Sequence, residues 1–102
     1  MEVFVTARAE KNFDSIVEYI NQKWGNKTAQ QFTQKTDDIL NIIKSYPLLG
    51  QIEKGNIRGL QLSPHTRLLY RITNDKITIL AFFDVRQDPK RNLIKAFDII
   101  SA

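Results

Sequence analysis

The run Arg67-Leu68-Leu69-Tyr70-Arg71-Ile72 alternates with a period of two. On a strand, that period puts Arg67, Leu69 and Arg71 on one face and Leu68, Tyr70 and Ile72 on the other. Arg86 follows the next apolar run, with Lys90 and Arg91 close behind and Arg58 upstream. A guanidinium suits phosphate or carboxylate because its planar fork donates two parallel hydrogen bonds and never loses its charge. Arg58, Arg67, Arg71, Arg86, Lys90 and Arg91 are therefore the candidate residues for binding an anionic partner. In one arrangement Arg67, Arg86, Lys90 and Arg91 line a single concave basic surface. In the other, Arg67 and Arg71 point into solvent or pair with the nearby Asp75 and Asp84.

The charge balance along the chain favours an anionic partner. Residues 54–91 hold eight basic and three acidic side chains, a net of +5, whereas residues 1–53 hold six basic and seven acidic, a net of −1. A local excess of this kind speeds encounter with nucleic acid or an acidic protein.

Other chemistries find little support. There is no cysteine and one histidine, His65, so neither a disulfide framework nor a structural zinc site is expected. No glycine-rich phosphate loop appears, and no cofactor is implied. The sole imidazole sits in a turn, which leaves no readable Ser-His-Asp arrangement. Paired carboxylates for acid–base work would have to be Asp84 and Asp88. The opening MEVFVTARAE has no basic segment followed by an apolar one, and no apolar run is long enough to span a bilayer, so the expected location is the cytoplasm, away from membranes.

The elements that must position these residues read as follows. Glu2-Val3-Phe4-Val5-Thr6 reads as a short strand, and Thr6 can then cap a helix because its hydroxyl can accept from first-turn amides. Phe13, Ile16, Val17, Ile20 and Trp24 recur at helical spacing and are expected in the core, up to a stop at Gly25-Asn26. A second helix from about Lys27 repeats the pattern through Phe32, Thr36, Ile39, Leu40 and Ile43 until Pro47, and Tyr46 at its end is expected to pack. The short turn between them makes an antiparallel helical hairpin. Residues 47–55 read as a loop, 57–62 as a strand, and Ser63-Pro64-His65 as a turn. Residues 67–73 and 76–84 read as two strands around an Asn74-Asp75 turn. The last strand is apolar on both faces, as a strand covered on two sides would be. Asp88-Pro89 opens a final helix carrying Leu93, Ile94, Phe97 and Ile100. The chain is thus expected to be a single α+β domain, residues 1–102, with a helical hairpin packed on a curved antiparallel sheet and a short C-terminal helix.

In order and spacing, the opening strand and helix, Ala29-Gln30-Gln31-Phe32, Tyr46-Pro47-Leu48-Leu49-Gly50, Ile57-Arg58-Gly59-Leu60, the Arg67 strand and Asp84-Val85-Arg86-Gln87 together resemble the RelE/ParE superfamily of type II toxins, its ParE-like branch in particular. The resemblance implies a growth-arresting plasmid-stabilisation toxin neutralised by a cognate antitoxin. ParE-like members inhibit DNA gyrase by protein contact; RelE-like members are endoribonucleases that cut mRNA on the ribosome. By that likeness Arg67 and Arg86 would be the catalytic arginines of a nuclease, with His65 or Lys90 assisting. Thr66 stands where the nuclease pattern has tyrosine, Asp84 where many relatives have histidine, and no tyrosine follows Arg86. Attack by a 2′-hydroxyl needs a proton acceptor nearby, so these departures favour the gyrase branch.

Overall fold

The computed structural model describes residues 1–86. Within them the chain forms strand β1 (Glu2–Val5), helices α1 (Ala7–Trp24) and α2 (Asn26–Ser45), and strands β2 (Gln51–Lys54), β3 (Ile57–Gln61), β4 (Thr66–Thr73) and β5 (Lys76–Asp84). The expected final helix, with Lys90 and Arg91, lies outside the described residues.

Local chemistry sets the helix ends. The Thr6 hydroxyl accepts from the Ala9 amide at 3.0 Å, and Gly25 closes α1 at φ +93°, a conformation that a Cβ disfavours. The same glycine starts α2, so the hairpin turns within one residue. Its apolar stripe meets the sheet in a core built on Ala9, Ile16, Ile20, Phe32, Ile43, Leu68, Tyr70, Ile77, Ile79 and Phe82. Phe13 ties the layers together, stacking on Phe32 at 5.7 Å and against Phe82 at 5.5 Å between ring centroids.

The described strands form one sheet in the order β1-β5-β4-β3-β2. Strands β3 to β5 meander antiparallel as expected and β2 adds a further antiparallel strand, but β1 runs parallel to β5, so the sheet is mixed rather than antiparallel. The reason is positional. The meander covers one edge of β5 with β4 and leaves the other open. Strand β1 fills that edge and then feeds straight into α1, with the Thr6 amide bonded to the Ile79 carbonyl. Strand β2, read from sequence as part of a loop, is four exposed residues at the far edge. So short and polar a strand carries no alternation to detect.

Between the pairs Leu69–Ala81 and Tyr70–Ile79, strand β5 carries one extra residue, Leu80. This bulge reverses the phase of β5. Ile77 and Ile79 face the helices before it; Phe82 and Asp84 face them after it. On α1 the Asn12 side chain accepts from the Phe82 amide beside the bulge. On the opposite face, Ile57, Leu69, Leu80 and Phe83 make a second buried cluster.

Candidate functional site

The bulge brings Asp84 beneath the helical layer, level with its ladder partner Thr66. Asp84 is fully buried. Its carboxylate accepts from the Thr66 hydroxyl at 2.7 Å, from Arg86 Nε at 2.9 Å and Nη2 at 2.6 Å, and from the Arg86 backbone amide at 2.9 Å. Burial pushes this carboxyl up. The hydrogen bonds from Arg86 and Thr66, with the charge of Arg86, outweigh that and hold it below the usual carboxylate value. Reciprocally, the bond to Asp84 raises Arg86.

The guanidinium of Arg86 lies 4.8 Å from the Trp24 ring centroid and 5.7 Å from that of Tyr19. Trp24 is therefore not the core residue its spacing suggests. It is 51% exposed, and its ring rests on a cation. Trp24, Ile20, Phe32, Pro64, His65 and Arg86 border a cleft of about 460 Å³ between the helical hairpin and the turn before β4.

Arg67 projects from the other face of the sheet. It pairs with Glu53 of β2, and its Nη1 donates to Gln61 at 2.9 Å. Gly59 makes room for this pair, because a Cβ there would collide with both Glu53 and Arg67 side chains. Arg71, four residues along on the same face, donates Nε to the Asn56 side chain at 3.0 Å. Arg58 faces the helical side, across from Tyr70, and donates Nη1 to the Gly50 carbonyl at 2.8 Å and to that of Leu48 at 3.4 Å.

The four described candidate arginines are thus separated. Arg67 and Arg71 share one face, Arg58 braces a loop, and Arg86 lies on the helical side in the cleft with His65. Their partners differ from those expected: Arg67 takes Glu53 and Arg71 takes Asn56, while Asp84 takes Arg86. Glu53 was hidden in a stretch read as loop. The Asp84–Arg86 link depends on a bulge that β-branched and aromatic composition does not announce. Tyr46 also departs from expectation, lying 67% exposed beyond α2.

Three solved structures share this architecture at low sequence identity. A toxin of the chromosomal ParDE system from P. aeruginosa superposes with a TM-score of 0.72 at 19% identity, covering 82% of this chain and 95% of that one. A YoeB/ParE toxin from Agrobacterium tumefaciens gives 0.62 at 14% identity, over 82% and 98% of the two chains. YoeB from Staphylococcus aureus gives 0.56 at 15% identity, over 79% and 92%. These likenesses establish the fold. Among curated protein sequences none matches. The model of the ParE toxin of the type II toxin–antitoxin system parDE matches residues 3–89, most of the chain. A hairpin on a mixed five-stranded sheet and this sequence match lead to one assignment: the chain belongs to the ParE toxin family and is a toxin of a type II toxin–antitoxin system.

Proposed function

We propose that the protein arrests growth by binding DNA gyrase through protein contact, in the cytoplasm and without cutting RNA, and that a cognate antitoxin neutralises it. The observation that carries this reading is the state of the two arginines a nuclease would need. Arg67 is held by Glu53 and Arg86 by Asp84, on opposite faces of the sheet. A phosphate would have to displace a carboxylate from each, and no single phosphate could reach both. Phosphoryl transfer depends on cationic groups converging on one charge-bearing centre. The described residues hold these groups apart. Family membership independently supports the partner, since a ParE toxin is one half of a toxin–antitoxin pair.

The deciding experiment adds purified toxin to gyrase supercoiling reactions and, separately, to translating ribosomes with a defined message. The gyrase reading expects inhibition of supercoiling and an intact message. Message cleaved within the ribosomal A site, with supercoiling unchanged, would replace it by the endoribonuclease reading.

A further inference from the structure

Among the described residues β1 is an edge strand, flanked by β5 on one side only. The Thr6 amide bonds to the Ile79 carbonyl, so the backbone of Thr6 is turned toward β5. Backbone direction alternates along a strand, and Val3 and Val5 therefore turn their amides and carbonyls away from the sheet. Such open donors and acceptors are a template for another strand. Glu2-Val3-Phe4-Val5 has no lysine, proline or bulge to blunt them.

Apolar surface borders this open edge on both faces. Val3 packs on the core beneath the helices, so Phe4, its neighbour, projects from the other face. Phe4 is 47% exposed and Val5 45%. On the helical side α2 does not close over β1. A groove of about 510 Å³ runs between them, bordered by Val3, Val5, Asp37, Leu40 and Lys44. A smaller one of about 170 Å³ continues it past Val5 to Glu10 and Phe13.

The two ends of the groove carry opposite charge. Lys44 lies at the start of β1, where its carbonyl accepts from the Met1 nitrogen at 3.4 Å. Asp37 and Glu10 border the cavity beside Val5, at the other end of the strand. A two-fold axis through an antiparallel strand pair brings each end of such a groove to the opposite end of its partner, so the surface is self-complementary. We infer that a second copy of the chain docks here, β1 against β1, with Phe4 on the axis. Residues directly opposite in a ladder share a face, which pairs Phe4 with the partner's Phe4 and Val3 with the partner's Val5. The valines exchange the backbone bonds that each edge leaves open. The phenyl rings meet in the closer, non-hydrogen-bonded pair, and Lys44 faces the partner's Asp37 and Glu10. This pairing depends neither on the target nor on the antitoxin.

The chain has no cysteine, so a single introduced thiol reports the register. Oxidised Phe4→Cys should cross-link into a dimer, because residues in such a pair lie about 4.5 Å apart, within disulfide reach. Ile52→Cys, on the opposite sheet edge, should stay monomeric. In sedimentation the wild type should dimerise with rising concentration. Phe4→Asp should raise the dissociation constant about tenfold or more, since two carboxylates would meet on the axis. Lys44→Asp and Asp37→Lys should each weaken the dimer, and the two together, which invert the polarity of the groove, should recover most of the loss. A wild type that is monomeric at about 1 mM would overturn the inference. So would Ile52→Cys cross-linking as fast as Phe4→Cys, or Phe4→Asp dimerising as the wild type does. If the toxin is monomeric alone and added antitoxin shields the thiol of Phe4→Cys from alkylation, the inference also fails and the edge belongs to the antitoxin.

Discussion

The carboxylate of Asp84 grips Arg86 twice, through the guanidinium edge and through the backbone amide. The double contact fixes the chain as it leaves β5 and aims the guanidinium at Trp24 and Tyr19 on α1. Strand end, helix and Thr66 are thereby joined around one buried charge. Such a pair adds little over a well-packed apolar substitute, but breaking it from one side is expensive because the remaining charge stays buried.

Arg86→Ala should therefore destabilise the fold by about 2–4 kcal/mol near neutral pH, read from urea unfolding. The pH dependence carries a sign. In the wild type the Asp84 carboxyl lies below its ordinary value, so its contribution is complete above about pH 4, the unfolded value, and is lost as pH falls through the lower folded one. Removing Arg86 leaves burial opposed only by Thr66 and the residue 86 amide, and the carboxyl rises. The difference between wild type and variant should be largest at neutral pH and shrink below about pH 4. A difference independent of pH would show that lost packing on Trp24 is the whole effect.

Tyr70→Phe keeps the ring and removes only the hydroxyl. The buried Gly50 amide and the Pro47 carbonyl each lose a partner, which should lower stability by about 1–2 kcal/mol. Gly50→Ala should cost about 1–3 kcal/mol by overpacking against the same ring. Amide exchange at residues 48–50 checks the cause: Tyr70→Phe should speed it, while exchange in the α1 core stays slow. Unchanged loop exchange would mean the hydroxyl does not hold the loop.

The architecture was legible where pattern follows directly from burial. Ile16, Ile20, Phe32 and Ile43 face the core at the spacing their positions require, and Thr6 and Gly25 mark ends by their own chemistry. Direction and phase were not legible. Nothing in Glu2-Val3-Phe4-Val5 says which way it runs beside β5, and no residue type forecasts the extra Leu80 that turns Asp84 inward. The candidate site suffered most, because strand alternation carries each arginine's face but not its partner. Trp24 shows the same limit: helical spacing placed it on the inner stripe, yet at the last turn of α1 the stripe has run past the sheet.

The bare backbone at Gly59 is what lets Glu53 and Arg67 lie across β3. Gly59→Ala should push both side chains away, and because they are flexible and partly solvated the loss of stability should be small, about 0.5–1 kcal/mol. Glu53→Gln, which removes the charge but keeps the shape, should fall in the same range and be abolished by high salt. A loss above about 3 kcal/mol in either variant would show that the pair is a structural keystone of the β2 edge.

Arg67 finally separates the two ways a basic surface can act. If Arg67 grips a reacting phosphate, Arg67→Ala should abolish toxicity as completely as removing any other charge-stabilising donor, a factor of about 10² or more in rate. If it is held by Glu53 as part of the sheet, Arg67→Ala should still arrest growth on induction, and the charge-swapped pair Arg67→Glu with Glu53→Arg should do so as well. The swap is the stricter test, because it preserves an ion pair over Gly59 while moving the positive charge from β4 to β2. Arrest by the swapped variant, with antitoxin rescue intact, is the expected result. Failure of the swap while Glu53→Gln stays toxic would return Arg67 to the active surface and the ribonuclease reading with it.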